Sequence, residues 1–483
     1  MQHNKGIQKI SEINDLATDD THVLDSLRRV IDRFNMSSIT KVLSSLKVRG
    51  INANELFSVL FMFPFLSVNN VQCLFSSGLH HEVVGKKDSY YRFLNNPNIP
   101  WRKIMEYFSN QYFKQTKRYD SNDCNGSAKC LIIDDSLIAK SGKRIEFIGK
   151  VFDHCSHKYL LGIKFLLIGY WDGKSFAPLD FSLHCEPGKN GKRGLKDKVL
   201  NSQFSKIRPA DGCSNERIEE LTQSKIDVAL QMIKRAVKKK LSIDYVLVDS
   251  WFVCEKFISG VIKVNLDMIG LMKTNRRVLI GTKSYIINAL PETHRSKIVN
   301  CKKYKCQYIP LRASYKGITL KIFLVRMNGQ STWKCLVTTN MKLSFTKVMK
   351  LYQIRWTIEV FFKDAKQHLN LQGCQSNDFD AHIAHYSLVC MEFTALSLIK
   401  RIEGYETIGK LLLNLKDSLI QQTILKKIWK LVMTIYNDIL VDFGVDLDHF
   451  ILKIINDDNL RNQINAFADF LLMGNQHQHK SVI

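Results

Sequence analysis

The sequence predicts an α/β core built on a mixed sheet, with a β subdomain inserted in it and helical regions on both sides. Two short apolar runs, CLII and YVLV, each have the pattern of a buried strand that ends in an aspartate. An amphipathic helix follows them at 351–369. We therefore expect a helical region at 1–128, the core at 129–400 with an insertion at about 275–332, and a helical region at 401–483.

The first region carries apolar side chains at helical spacing, in VLDSLRRVIDRF and again in ITKVLSSLKV. Asn54 precedes ELFSVLFMF, which predicts a helix capped by that side chain. No helix-turn-helix pattern is sharp enough to assign. The residues alone therefore allow either a binding role or a plain packing role for this region.

The first predicted core strand ends in two aspartates and a hydroxyl, in CLIIDDS. Asp134 and Ser136 would share one face of an extended strand, with Asp135 on the other. Two β-rich runs, HKYLLGIKFLLIGYWDG and KSFAPLDFSLHCE, then predict an antiparallel pair in the same sheet. Asp249 follows the next strand, Tyr245–Val248. An aspartate at a strand end is more often only a cap, so neither position identifies a site by itself.

Residues 271–350 carry seventeen Lys and Arg against one acidic residue, Glu292. A solvated surface usually mixes charge signs, so this segment predicts contact with phosphate. Its strands, with turns at Tyr315-Lys-Gly and Met327-Asn-Gly, form the predicted insertion. The candidate contacts are the cations Arg276, Arg277, Lys302 and Lys303 and, for base stacking, the aromatic residues Trp333, Tyr285, Tyr304, Tyr308 and Tyr315.

Residues 351–369, LYQIRWTIEVFFKDAKQHL, predict one helix with two chemically different sides. At about 100° per residue, one side is apolar and would face the core. The opposite side carries a phenol, a guanidinium, a carboxylate and an ammonium, from Tyr352, Arg355, Glu359 and Lys366. This polar stripe is equally consistent with a solvated face held by an Arg355–Glu359 pair one turn apart.

The net charge favours a polyanionic partner. It is +25, from 70 Lys and Arg against 45 Asp and Glu, which makes nucleic acid the leading candidate. The first thirty residues lack the apolar run of a signal peptide, and the strongest apolar run, from Leu56, is short and contains Pro64. We therefore expect a cytosolic protein without a membrane partner.

The cysteine and glycine spacings argue against a cysteine metal site and against a nucleotide-binding phosphate loop. The twelve cysteines contain no Cys-x2-Cys pair. The nearest approaches to a metal box, Cys301-x4-Cys306 and His154-Cys155-x-His157, lack a second well-spaced pair, so reduced structural thiols are expected. Gly173-Lys-Ser lacks the glycine that a phosphate loop needs five residues earlier, where Ile168 stands. The sequence therefore predicts no nucleotide cofactor.

The polar stripe has the spacing Tyr-x2-Arg-x3-Glu-x6-Lys. This spacing resembles the Tyr-Arg-Glu-Lys (YREK) signature of bacterial insertion-sequence transposases of the DDE class. The segment SYYRFLNNPNIPWRKIMEYF is also similar to the region that precedes the catalytic core in that family. Two further motifs are needed to complete the resemblance.

Asp134, followed by a hydroxyl two residues later, and Asp249-Ser-Trp-Phe are similar to those motifs. The resemblance covers roughly residues 89–371. It implies an α/β catalytic core with a ribonuclease-H-like (retroviral-integrase-like) mixed sheet. In such a core Asp134, Asp249 and Glu359 would be the catalytic carboxylates and also the metal ligands.

The resemblance also implies cofactors and partners. Two Mg²⁺ ions, for which Mn²⁺ would substitute, would bind the three carboxylates, since Mg²⁺ prefers hard oxygen ligands. The partner would be double-stranded DNA, both the element's ends and the target, held by a homodimer in the DNA complex. The first helical region would help to bind the ends, and the last would contact the second protomer. Such a protein acts in the bacterial cytoplasm, at the nucleoid.

The remaining residues of the stripe suit phosphate rather than metal. Arg355 would grip phosphate through its fork, Lys366 would act as a point charge, and Tyr352 would donate a hydrogen bond to the same backbone.

The sequence therefore predicts a transposase that hydrolyses a DNA strand at the inverted repeat and transfers the new 3′ hydroxyl to target DNA. Two alternatives remain, a metal-dependent DNA nuclease without strand transfer and a non-catalytic DNA-binding regulator derived from a transposase. Three intact acids disfavour the regulator, because carboxylates beside DNA phosphates only repel them.

Overall fold

The computed structural model describes residues 37–46, 50–77, 83–119, 127–154 and 156–415, together with positions 34, 80 and 459. Three predicted helical runs, VLDSLRRVIDRF, QTILKKIWKLVMTIYNDILVDF and INAFADFLLMG, lie outside these residues except for Phe34. Residues 32–64 and 68–404 form one compact unit. The described residues 65–67 and 405–415 belong to a second unit, in which 408–415 are helical.

The described part of the first region is helical, as predicted. Its helices are α1 (Ser37–Ser45), α2 (Ala53–Phe61), α3 (Val71–Ser76), α4 (Lys87–Leu94) and α5 (Trp101–Tyr119).

One predicted cap is wrong by two residues. The N-cap of α2 is Asn52, whose ψ of 133° leaves its side chain free to accept the Asn54 N–H at 3.0 Å. Asn54 itself already lies in the first helical turn. Either asparagine can cap a helix, and the backbone angle at Asn52 decides between them.

The core is one mixed sheet. Twelve strands of the described residues form it: β1 (Cys130–Ala139), β2 (Gly149–Asp153), β3 (Lys158–Trp171), β4 (Phe176–His184), β5 (Tyr245–Val248), β6 (Asp267–Met272), β7 (Arg277–Ile280), β8 (Lys283–Ile286), β9 (Val299–Cys301), β10 (Cys306–Tyr315), β11 (Ile318–Met327) and β12 (Lys334–Thr338). Their order is β2-β3-β1-β5-β6-β12-β11-β10-β7-β8, with β4 also beside β3 and β9 beside β10.

Only the centre of this sheet is parallel. β1, β5 and β6 run in the same direction, whereas β3 pairs antiparallel with β1, β2 and β4. The buried apolar runs of β1 and β5 fit strands that are covered on both faces. The predicted mixed sheet with flanking helices is therefore confirmed, as is the antiparallel β3–β4 pair.

The strands of the predicted insertion continue the same sheet. β11 pairs with β12, which pairs with the central strand β6. The β10–β11 hairpin turns at Lys316 and Gly317, both with positive φ (48° and 84°), which is the backbone of a two-residue hairpin turn. The basic segment is thus built on an extension of the central sheet.

The remaining helices connect and cover the strands. They are α6 (Asp197–Leu200), α7 (Asn215–Thr222), α8 (Lys225–Lys238), α9 (Glu255–Ile262), α10 (Leu290–Thr293), α11 (Phe345–Gln353), α12 (Trp356–His368) and α13 (Phe379–Glu403). Among the described helices, α13 alone is long and apolar enough to cross a membrane, but 94% of its most apolar window is buried inside the protein. That burial is typical of the core helix of a soluble protein.

Candidate active site

The parallel pairing of β1 with β5 brings the two predicted aspartates together. The register pairs Ile133 of β1 with Val248 of β5, and the residues that follow them are Asp134 and Asp249. Asp249 follows the end of β5, as predicted. Asp134, however, is the fifth of ten residues in β1 and not its end. β1 runs on because its other edge stays paired to β3 through Ala139, whereas β5 stops at Val248.

Short hydrogen bonds orient both carboxylates. Asp249 Oδ1 accepts the N–H of Trp251 at 2.9 Å and that of Phe252 at 3.4 Å, in a turn that follows the strand directly. Asp134 Oδ1 accepts the N–H of Asp135 at 2.8 Å. The second oxygen of Asp134 accepts from Arg355 Nη1 at 3.0 Å.

Burial and mutual repulsion make these two acids hard to ionise together. Burial, and then the neighbouring Asp249, raise the pKa of Asp134 to about 7, although the Arg355 guanidinium acts in the opposite direction. Burial also raises the pKa of Asp249, opposed by the N–H groups of Trp251 and Phe252. Two half-buried acids of this kind are stabilised as carboxylates by an added cation.

The helix predicted at 351–369 is two helices. α11 ends at Gln353 and α12 begins at Trp356, and between them the N–H groups of Ile354 and Arg355 bond three residues back, at 3.1 and 3.0 Å. This tightened turn places Arg355 at the join. The apolar side is nevertheless as predicted, since only Ile354 is half-buried among its seven residues and the rest are buried, namely Leu351, Ile358, Phe361, Phe362, Ala365 and Leu369.

The guanidinium of Arg355 connects two of the three predicted carboxylates. Its Nη1 lies 3.0 Å from Asp134 Oδ2, and its Nη2 donates to Glu359 Oε1. The Tyr352 ring lies beside it, with its centroid 5.6 Å from the guanidinium carbon. Burial raises the pKa of the Tyr352 phenol to about 12, so the phenol is neutral. In this arrangement Arg355 holds carboxylates, whereas the sequence predicts that it holds phosphate.

Lys366 also contacts β1, at Ser136, which is the next residue after Asp134 on the same face of that strand. Its Nζ donates to Ser136 Oγ at 2.7 Å. Ser136 and Asp134 therefore share the face that their parity predicts, and α12 lies against that face of β1. Arg355 and Lys366 of the stripe therefore both contact β1, the strand that carries Asp134, and Tyr352 and Glu359 lie beside Arg355.

Sequence reasoning missed two contacts of Lys225 beside the site, one with Asp135 and one with Trp251. Lys225 Nζ lies 2.7 Å from Asp135 Oδ2 and 4.0 Å from the ring centroid of Trp251, which is 38% exposed. Ninety residues separate Lys225 from Asp135. No local pattern could link them, because Lys225 begins a basic helix whose charges have the pattern of a solvated surface. Asp135 thus has a cationic partner of its own, on the face away from Asp134.

Most of the predicted phosphate contacts lie on the surface. Arg277, Lys302 and Lys303 are exposed, as contact with DNA requires. Arg276 is half-buried, and its Nη1 donates to the hydroxyl of Tyr315 at 2.7 Å. Their role in DNA binding stays a prediction.

The predicted stacking residues differ in exposure. Trp333 is half-buried, with the Arg326 guanidinium 4.8 Å from its ring centroid. Tyr308 stacks on Phe345 with centroids 3.9 Å apart. Tyr315 is only 3% exposed and has no face for a base, so the prediction for that residue is wrong.

The described residues contain no group of three or more His, Cys, Asp or Glu side chains gathered closely enough to hold a metal ion. Arg355 pairs with the Glu359 carboxylate and with Asp134. The adjacent pair of Asp134 and Asp249 fits a cation in its chemistry. Glu359 fits only when its ion pair with Arg355 opens.

Two family models match this part of the chain. Residues 70–296 match the model described as "DDE superfamily endonuclease", and residues 215–404 match the model described as "Archaeal putative transposase ISC1217". The first match spans Asp134 and Asp249, and the second spans Asp249 and Glu359. No curated protein matches the chain.

Residues 70–404 are thus similar to DDE-type endonucleases and transposases, in two overlapping parts that each span less than half of the chain. These similarities support transposase-type DNA cleavage.

Proposed function

We propose that the protein is a DDE transposase that binds the terminal inverted repeats of an insertion sequence, cleaves a DNA strand there and transfers its 3′ hydroxyl to target DNA. The observation that carries the proposal is the convergence of three acids from three elements. Asp134 and Asp249 follow the end of the parallel pairing between β1 and β5, and Arg355 links Asp134 to Glu359 of α12.

The same arrangement supports a ribonuclease-H-like core. The aspartates come from adjacent parallel strands at the centre of a mixed sheet, and the glutamate comes from a helix that lies against one of them. Carboxylates that directly follow the last paired residues of two neighbouring parallel strands form a site at one edge of the pairing.

Asp134, Asp249 and Glu359 are the residues that would hold Mg²⁺ or Mn²⁺, in two ions. Such ions, when bound, activate a water or hydroxyl and neutralise charge on the leaving oxygen. The protein's own contribution is to hold Asp134 and Asp249 at fixed positions through backbone N–H groups. The raised pKa of Asp134 means that cation binding there displaces a proton near neutral pH.

Arg355 and Lys366 are the groups that would meet the DNA backbone. A phosphate oxygen offers Arg355 an alternative anion to the carboxylates it holds in the free protein. Lys366 Nζ donates to the Ser136 hydroxyl, which places its charge beside the strand that carries Asp134. In this proposal, DNA binding draws Arg355 away from Glu359 and frees that carboxylate.

The basic segment 271–350 would bind the flanking DNA, with Arg277, Lys302 and Lys303 exposed for phosphate contact. The helical first region would help to bind the inverted repeats, and two protomers would act together in the DNA complex. A protein of this kind works in the cytoplasm, where its DNA substrate lies.

A nuclease without strand transfer is the second candidate, since cleavage alone needs the same acids. One experiment tests both. The protein is incubated with the DNA that flanks its gene, with and without Mg²⁺, and nicks and joined products are mapped by primer extension. Metal-dependent nicks at an inverted repeat, together with joined products, are expected. Nicks without joined products would show a nuclease without strand transfer. DNA binding without nicks would show a non-catalytic regulator.

A further inference from the structure

The hairpin between β9 and β10 carries two cysteines that the proposed function does not use. Cys301 is the last residue of β9 and Cys306 the first of β10, and the register pairs them directly. Directly opposed residues of antiparallel strands lie about 4.5–5.5 Å apart between their Cα atoms. A disulfide needs a Cα separation of about 4.4–6.8 Å. The backbone therefore already provides the spacing for a bond between these side chains.

We propose that Cys301 and Cys306 form a reversible disulfide that fixes the lysine loop, residues 302–305, between them. Both are free thiols in this structure, and Cys301 lies directly opposite Cys306 across the two strands. Cys306 is 2% exposed, whereas Cys301 is half-buried. An oxidant from solvent therefore reaches Cys301 first, with Cys306 in contact behind it.

A peroxide is the class of oxidant that this pair suits. The Cys301 thiolate attacks one peroxide oxygen, the O–O bond breaks, and the released hydroxide takes up a proton to leave as water. The sulfur of Cys306 then attacks the sulfenic acid on Cys301, so that the S–S bond forms and the S–OH bond breaks. The Cys306 proton leaves with that hydroxide as a second water. Two thiols lose two electrons in total, and one peroxide becomes two waters.

The environment assigns the two thiols different roles. Burial, and then the neighbouring Cys301, raise the pKa of the Cys306 thiol, so it stays protonated until the sulfenic acid forms. The bond is a switch rather than a permanent brace, because the cytosol returns accessible disulfides to thiols.

The loop that this bond closes is basic and rests on the helix that leads to the active site. It carries Lys302, Lys303 and Lys305, and Lys305 has a φ of 46°. The hydroxyl of Tyr304 donates to the carbonyl of Thr346 at 3.3 Å, in the first turn of α11. A disulfide orders this loop before DNA arrives, which lowers the entropy cost of binding. This consequence rests on the proposed function, whereas the disulfide rests on the hairpin alone.

The test uses the full chain, treated with hydrogen peroxide, alkylated, denatured and digested with trypsin without reduction. Trypsin cuts after each lysine of the loop, so Cys301 and Cys306 fall on separate peptides unless a bond joins them. We expect a joined pair of peptides by mass spectrometry, lost after treatment with dithiothreitol. Cys301→Ser should abolish it. Cys213→Ser, which removes an exposed thiol outside the hairpin, is the matched control and should leave it intact.

The affinity for DNA is then compared between oxidised and reduced protein, by fluorescence anisotropy on a labelled duplex. We expect the oxidised form to bind about threefold more tightly, and Cys301→Ser to lose the difference. If Cys301 and Cys306 are recovered only as separate alkylated or over-oxidised peptides, the disulfide is overturned. Joined peptides with equal affinities overturn the effect on the loop. Joined peptides without DNA binding in either state keep the disulfide and overturn the proposed function.

Discussion

Arg355 donates from Nη1 to Asp134 Oδ2 at 3.0 Å, across 221 residues of sequence, while its Nη2 holds Glu359. One guanidinium thus satisfies two acids that the proposed chemistry needs for metal. A guanidinium and a metal ion are alternative cations for the same carboxylates. Metal binding and the Arg355 ion pairs therefore oppose each other, and this opposition is measurable.

Replacing Arg355 should strengthen metal binding while weakening DNA binding. Arg355→Gln removes the competing cation, so we expect Mn²⁺ affinity to rise by about threefold to tenfold in calorimetry. Affinity for a cleaved DNA end should fall because the phosphate fork is lost. Lys363→Gln, which removes an exposed lysine of the same helix, is the control, and its Mn²⁺ affinity should stay at the wild-type value. A drop in Mn²⁺ affinity for Arg355→Gln would show that Arg355 organises the acids instead of competing for them.

Asp134→Asn and Asp249→Asn should each abolish cleavage, by on the order of a thousandfold, while folding and DNA binding persist. Both changes keep the shape of the side chain and remove a metal ligand. Asp135→Asn is the matched control, because Asp135 lies on the other face of β1 and pairs with Lys225. A plasmid nicking assay with each variant decides the assignment. If Asp135→Asn were inactive and Asp134→Asn active, the first ligand would be Asp135.

Glu359→Gln should separate binding from cleavage. The change removes a carboxylate beside DNA phosphates, so affinity in a gel-shift assay should hold or rise while nicking is lost. In the free protein the amide also loses its ion pair with Arg355, but that pair is one-third exposed on the Glu359 side and contributes little to stability. Metal-dependent nicking by the Glu359→Gln variant would show that Glu359 is not a metal ligand and that the polar stripe is an ordinary charged face.

The sequence predicts which residues form the candidate site, but it does not predict how they contact one another. The apolar runs before Asp134 and Asp249 and the spacing of the stripe are local patterns, and the mixed sheet follows from them. The break at Ile354–Arg355 could not be predicted, since no proline or glycine marks it and its residues keep right-handed helical angles. The link from Lys225 to Asp135 depends on packing across ninety residues, which no local pattern encodes.

The basic segment should dominate the salt dependence of DNA binding. The logarithm of affinity falls with the logarithm of salt by about 0.9 for each phosphate neutralised, so reversing four cations should flatten the slope by as much as about 3–4. The variant replaces Arg276, Arg277, Lys302 and Lys303 with glutamate, and the slope is read from anisotropy titrations.

A control for that variant reverses Lys240 and Lys263, two exposed lysines outside the segment. We expect its slope to match the wild type. Equal slopes for the control and for the variant with four replaced cations would show that residues 271–350 are a solvated surface and do not contact phosphate.

The pH dependence of stability should reveal the buried acid of the site in metal-free protein. Asp134 has a folded-state pKa of about 7 against an ordinary 3.8, so the folded state binds its proton more tightly than the unfolded chain does. The stability this provides is fully present below about pH 4 and is lost as pH rises through 7.

Asp134→Asn cannot ionise. At pH 8 it should therefore raise the free energy of unfolding by on the order of 2–4 kcal/mol relative to wild type, and the difference should shrink by pH 5. Urea unfolding in EDTA at both pH values measures it, with the exposed Asp211→Asn as the control that should change neither value. A variant that is less stable than wild type at pH 8 would mean that the Arg355 ion pair outweighs the burial of Asp134.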